Sequence, residues 1–336
     1  MNAENYQYEE VEEPIRLHLN ECVYNPPEHV IKAVVNVLNQ CNYYPNKHMF
    51  NYFRKLLAEY NGLSIENVYP FPGADAALRT LFLSLTDPGD SVLFVKPTFS
   101  MVEIYAKFMG LRRISVDLIE YGDEWVADMN KLIELAKEAS LVVLVDPNNP
   151  TGNAIIKGDK KFLEAIALNT KGFVIVDETY YEFSGYTVAD FVNEYPNIIV
   201  VRSLSKAFCL AGFRLGYVIA DKDVLSNIVK VVTTFDISTP SLAAGIAALE
   251  NLDYHMNIIE KIKQLRDYLY LQLKTMGFKV YRSYANFLLV KNSERLDKYL
   301  AKFGIAIKRV ADDLYRVSIG NEESVEMIIK LLREIL

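Results

Sequence analysis

The middle of the chain alternates short apolar runs with segments of helical period. Ser91 to Val95, Leu141 to Val145, Phe173 to Val176 and Ile198 to Val201 are rich in β-branched residues and almost free of polar ones. A strand with one wet face would carry a polar residue at every second position. These do not, so the pattern predicts strands covered on both faces. Between two of the runs, Leu78, Leu81, Phe82 and Leu85 recur at the spacing of one helix face. Strand and helix in turn predict an α/β fold: a large domain with a mainly parallel mixed sheet covered by helices. From Ser241 the character changes. Ile258, Ile262, Leu265, Leu269, Leu273 and Met276 mark one face of a long helix, which Gly277 is placed to stop. Short strands are predicted at Lys279 to Tyr281, Phe287 to Val290 and Leu314 to Ser318, with a closing helix near Glu323 to Leu336. This region reads as a smaller α+β domain. The segment up to about Cys41 is expected to pack with it, giving a large domain of 42–240 and a discontinuous small one of 1–41 and 241–336.

Composition narrows the function classes. At 336 residues, 51% of them hydrophobic, the chain can bury a large core. A net charge of -7 leaves no basic excess to neutralise phosphates, so nucleic acid is not the expected partner. No apolar run reaches membrane-spanning length, and Met1 to Pro14 lacks the charged-then-apolar layout of a leader, so a cytoplasmic location is expected. Cys22, Cys41 and Cys209 show no C-x-x-C spacing, and neither a disulfide framework nor a zinc site is expected. His18, His29, His48 and His255 are scattered and read as surface or packed residues, so no metal is expected.

The candidate chemistry centres on Ser203-Leu204-Ser205-Lys206-Ala207-Phe208, with Arg214 beyond it. A reactive lysine can bind an aldehyde cofactor covalently. Two hydroxyls before it and an arginine after it suit a bound phosphate, and together they point to pyridoxal 5'-phosphate on Lys206. Asp177 ends the run Phe173 to Val176, where α/β folds place ligands; a carboxylate there would keep a pyridine nitrogen protonated and the ring electron-withdrawing. In Asp146-Pro147-Asn148-Asn149-Pro150-Thr151-Gly152, an asparagine amide could donate to the ring's phenolic oxygen, as could Tyr180. Turn chemistry alone would also account for that composition. Gly73, in Phe71-Pro72-Gly73-Ala74-Asp75, opens a helix whose first N–H groups favour an anion. Phe99, after the run Ser91 to Val95, could stack on a flat ring.

These phrases occur in an order that resembles the fold-type I pyridoxal-phosphate aminotransferases of class I/II, over nearly the whole chain. Within them the chain is most similar to histidinol-phosphate aminotransferases, through Leu19-Asn20-Glu21, Tyr44-Pro45, Asp177-Glu178-Thr179-Tyr180-Tyr181-Glu182-Phe183, Ala285-Asn286-Phe287 and Tyr315-Arg316-Val317-Ser318-Ile319-Gly320. The resemblance implies that Lys206 holds the cofactor and shuttles the proton, Asp177 pairs with the ring nitrogen, and Asn149 and Tyr180 bind the ring oxygen. It implies that Phe99 stacks on the ring. The phosphate would be held by Gly73, Ala74, Asp75, Ser203, Ser205 and Arg214, with Tyr44 reaching in from a second subunit of a homodimer. Arg316 and Asn20 would bind substrate, joined by a second basic residue after Gly304-Ile305, for which Lys308 and Arg309 are both candidates. The implied reaction pairs histidinol phosphate with 2-oxoglutarate, giving imidazole acetol phosphate and glutamate in histidine biosynthesis. A threonine-phosphate decarboxylase-like lyase and a broad aromatic aminotransferase are the alternatives. The chain departs from the family pattern at Cys22-Val23, where Asn-Pro is usual, at Asn46 for aspartate and at Ala76 for glutamate.

Overall fold

A computed structural model describes residues 11–335. Most of Met1 to Pro14, and Leu336 at the expected end of the closing helix, lie outside the described residues. Seven strands form the large sheet in the order Val68–Phe71, Gly216–Ile219, Ile198–Ser203, Phe173–Asp177, Leu141–Val145, Ser91–Lys96, Arg112–Asp117. All neighbours pair in parallel except Gly216–Ile219, which runs against both of its own. Along the central strands, alternate residues enter different cores. Leu93, Val95, Val142, Leu144, Val174, Val176 and Val200 face one side. Val92, Phe94, Leu141, Val143, Val145, Ile175 and Val201 face the other, where the helix Ala74–Leu85 buries Leu78, Leu81 and Phe82. Covering both faces is what makes the runs apolar throughout.

The second sheet has five strands, ordered Ile15–Leu17, Ile305–Ala311, Leu314–Ser318, Phe287–Lys291, Lys279–Tyr281. Ile15–Leu17 pairs in parallel with Ile305–Ala311, which brings the start of the chain onto the C-terminal sheet. The helix Leu252–Thr275 buries Ile258, Ile262, Leu269 and Leu273 and ends before Gly277, whose φ of +86° lies in the left-handed region open to glycine. The closing helix, Glu322–Arg333, packs beside it. Helix Glu28–Val37 instead lies along Thr239–Glu250, which also packs on Lys47–Asn61.

Several elements went unread in the sequence. Val68–Phe71 holds Pro70 and is an edge strand, where a missing N–H is tolerated. Arg112–Asp117 is the opposite edge and mostly wet. The expectation about cysteines is overturned: Cys22 and Cys209, separated by 187 positions, are disulfide-bonded, while Cys41 is free and exposed. Spacing carries no signal for a pair that only tertiary folding brings together.

Candidate active site

Register places the candidate residues. Val145 is paired with Asp177, and Asp177 with Val201, so the loops leaving these strands begin side by side at one edge of the sheet. They carry Asn149, Tyr180 and Lys206. The carboxyl ends of Val68–Phe71 and Ser91–Lys96 open onto the same edge and supply Gly73 and Phe99. The reversed strand Gly216–Ile219 starts at that edge, which is why Arg214, just before it, arrives there too.

Asp177 is buried, and its Oδ1 accepts from Thr179 N at 3.0 Å and Thr179 Oγ1 at 2.6 Å. Among the described residues nothing donates to Oδ2. Burial pushes the carboxyl up to about 6, against the Thr179 hydrogen bonds, because an ionised group loses hydration there. Beneath it, Arg202 and Glu178 form a fully buried ion pair at 2.8 Å, with the guanidinium 3.5 Å from the centre of the Tyr181 ring. Glu178 also accepts from Val188 N and Thr187 Oγ1, so its lone pairs are well used.

The Asp146–Gly152 loop is held from several directions. Asp146 accepts from Ile155 N and from Ile156 N. Asn148 Nδ2 donates to Pro97 O at 2.9 Å and to Thr151 Oγ1 at 2.6 Å, and its Oδ1 accepts from Thr98 Oγ1 at 2.9 Å. This clamps the Phe99 loop to the Asn149 loop. In the sequence Asn148 is one more turn asparagine, and its clamping role was missed.

Gly73 has a φ of +91°, and a Cβ there would stand 2.7 Å from Arg214 Nη2. At Gly216 a Cβ would strike Ala74 N and Gly73 C. Two glycines therefore let the Arg214 guanidinium and the reversed strand close on the start of the helix Ala74–Leu85. Ser203 and Ser205 are buried nearby in sequence, with Ser205 N donating to Ser203 Oγ at 3.1 Å. Helix N–H groups, a guanidinium and two hydroxyls make a cradle for a phosphate. Asp75 is the exception in charge: its Oδ1 accepts from Tyr105 OH at 2.9 Å.

Lys206 Nζ donates to Leu19 O at 2.9 Å. Burial, helped by the positive charges of Arg316 and Arg214, lowers its amine to about 8, with Glu21 opposing. Asn20, in the left-handed region at φ +56°, donates from Nδ2 to Tyr180 OH at 2.9 Å and is held by Ser318 and Asn286. Asn149 Nδ2 lies 3.5 Å from the same Tyr180 oxygen, and its Oδ1 accepts from Arg316 Nη1 at 2.6 Å. Arg316 Nη2 donates to His18 O at 2.6 Å. The contacts through Leu19 O and His18 O are backbone contacts, which no residue pattern announces.

Lys308 is paired directly opposite Arg316, so the two side chains leave one face of the sheet. Arg309 is paired with Tyr315 and bonds instead to Asp312 in the hairpin turn, at 2.8 Å from its Oδ1. Tyr44 is not brought to Lys206 within this chain. It is 77% exposed and stacks on the exposed Phe235, ring centres 4.5 Å apart. Among the described residues no cluster of His, Cys, Asp or Glu could hold a metal ion, and no helix is long and apolar enough to cross a membrane.

Residues 12–332 match the family Aminotransferase class I and II. The chain belongs to the class I and II aminotransferases. This aminotransferase is 43% identical to the histidinol-phosphate aminotransferase of Sulfurisphaera tokodaii, over all of this chain and 94% of that one. It is 34% identical to histidinol-phosphate aminotransferase 2 of Archaeoglobus fulgidus, over 96% and 93% of the two chains. The fold is shared with the histidinol-phosphate aminotransferase of Sinorhizobium meliloti in complex with pyridoxal-5'-phosphate, at a TM-score of 0.85, 23% identity and coverage of 96% and 92%. Thermus thermophilus aspartate aminotransferase with maleate gives a TM-score of 0.82, 24% identity and coverage of 96% and 92%. The aminotransferase's own residues fit pyridoxal phosphate: a cradle that a Cβ at Gly73 would fill, and a buried carboxyl with one oxygen open to a donor.

Proposed function

We propose that the chain is a pyridoxal-phosphate-dependent aminotransferase that takes histidinol phosphate as donor and 2-oxoglutarate as acceptor. The observation that carries this reading is the arrangement of Arg316 and Lys308, opposite one another in the ladder, where Arg316 bonds to the loop bearing Asn149. Two cations suit a phosphate dianion, and the guanidinium alone suits a carboxylate, so one site can serve donor and acceptor in turn. The two relatives of that name, similar over almost their whole length, support it.

When bound, the cofactor supplies an electron-withdrawing ring conjugated to the substrate's amine nitrogen. Asp177 would hold the ring nitrogen protonated; the incoming cation would reverse the effect of burial on this carboxyl. Tyr180 and Asn149 would orient the ring through its oxygen, and Phe99 would cover one face. Gly73, Ala74, Asp75, Ser203, Ser205 and Arg214 would anchor the phosphate. Lys206 would take the proton from the substrate's Cα onto Nζ and hold it there for return. An amine near 8 is neutral often enough at neutral pH to act as that base.

The reading carries a homodimer with it, in which exposed Tyr44 would reach the phosphate of the neighbouring subunit, and a cytosolic setting. It keeps 42–240 as the cofactor-carrying unit; the pairing of Ile15–Leu17 with the C-terminal sheet supports grouping the start of the chain with its end. The test is turnover of histidinol phosphate by the purified protein, with glutamate appearing only when 2-oxoglutarate is present. Carbon dioxide released from threonine phosphate without an acceptor would replace this reading with a lyase. A higher kcat/KM for phenylalanine would replace it with an aromatic aminotransferase.

A further inference from the structure

The segment His18 to Asn20 is hydrogen-bonded to three residues of the site: His18 O accepts from Arg316, Leu19 O accepts from Lys206, and Asn20 Nδ2 donates to Tyr180 OH. Two positions beyond it stands Cys22, and three positions beyond Lys206 stands Cys209, in the left-handed region at φ +58°. The disulfide between them ties the segment to the lysine loop. A cleft of about 620 Å³ runs along this bond, lined by Arg16, Glu21, Cys22, Tyr24, Cys209 and Gly212, so a small reagent can reach it.

We infer that Cys22 and Cys209 are positioning residues of the donor site, and that their bond is a clasp which a dithiol opens and which then weakens donor binding. The inference rests on the aminotransferase reading above. Two residues separate Leu19 from Cys22 and two separate Lys206 from Cys209, so the bond and the Lys206–Leu19 contact close a small ring. Inside that ring the segment has little freedom. Without the bond, the segment keeps the pairing of Ile15–Leu17 and the bonds of Asn20 to Ser318 and Asn286 but loses its covalent tie to the lysine loop, so the Leu19–Lys206 and His18–Arg316 contacts must be ordered anew when substrate binds. In the opening step a thiolate of the dithiol attacks one sulfur and the S–S bond breaks. The dithiol's second thiol then closes its own disulfide. Cys22 and Cys209 gain two electrons and two protons, and the dithiol loses them.

The test compares oxidised and dithiol-reduced holoenzyme, with the state of each cysteine fixed by alkylation and peptide mass. Reduction should raise the KM for histidinol phosphate about fivefold while kcat stays within about twofold, the cost of ordering a loosened segment on binding. Amide exchange should quicken in the peptides spanning 17–24 and 206–210, and reoxidation should restore both. Cys22→Ser and Cys209→Ser should each match the reduced protein and ignore the dithiol, whereas Cys41→Ser should respond as the natural chain does. Unchanged KM and exchange after verified reduction would overturn the inference. Faster exchange with an unchanged KM would overturn it too, leaving the bond a structural staple. Absence of any turnover would tell against the substrate assignment instead, and the exchange comparison would still decide whether the bond holds the segment.

Discussion

Lys206 should titrate far below an ordinary lysine in the cofactor-free protein. Its amine is lowered to about 8 by burial and by the positive charge of Arg316 and Arg214. At neutral pH about one chain in eleven then carries the free amine, against about one in three thousand for a lysine of ordinary affinity, a difference of roughly 300-fold. The assay is trace labelling with a neutral acylating reagent over a pH series, read by mass on the Lys206 peptide. Reaction should rise with pH and level off above about 8, as neutral amine saturates. The position of the bend is the readout, since partial burial slows the plateau rate without moving it. Arg316→Gln removes the larger of the two cationic contributions, so its bend should move toward higher pH. A rise that continues into the range of exposed lysines, with no bend near 8, would refute the reasoning; an unmoved bend in Arg316→Gln would refute the part assigned to that residue.

Asp177, pushed up to about 6 by burial, stays protonated in the folded cofactor-free protein after the unfolded chain has released its proton, so stability should fall as pH climbs from the ordinary carboxyl range to about 6. Asp177→Asn should flatten that part of the slope in urea midpoints; identical slopes would contradict the assignment. Gly73→Ala puts a Cβ 2.7 Å from the Arg214 guanidinium at a φ of +91°, and retention of pyridoxal phosphate on dialysis should weaken about tenfold or more, a cost set by left-handed strain and a displaced charge; undiminished retention would speak against the cradle. Lys308→Met should raise the KM for histidinol phosphate about tenfold and Arg309→Met less than twofold, on the scale of one charge-assisted contact; the opposite order would put the wrong side chain at the donor site.

Four central strands were legible because a strand covered on both faces has no position left for a polar residue, and the long helix because its apolar positions repeat every turn; Gly216–Ile219, equally buried, went unread. Gly277 marked the end of that helix for the same local reason. The two edge strands of the large sheet were not legible: Arg112–Asp117 is mostly wet and Val68–Phe71 contains Pro70, so neither follows a buried pattern. At the site, Lys206, Asp177, Asn149, Tyr180 and Arg214 stood out because their chemistry is tied to side-chain type and to a place at a strand's end.

What the sequence by itself determined is the set of groups and the layers that carry them, since both follow from local pattern. The tertiary structure alone separates Lys308 from Arg309, because the two are adjacent in the chain and only Lys308 is paired with Arg316, on that residue's face of the sheet. It also decided that Cys22 bonds Cys209, and that the carbonyls of His18 and Leu19 reach Arg316 and Lys206. Contacts made to backbone carbonyls, and between residues far apart along the chain, depend on where the sheets bring them, and a residue's type does not record its neighbours in space.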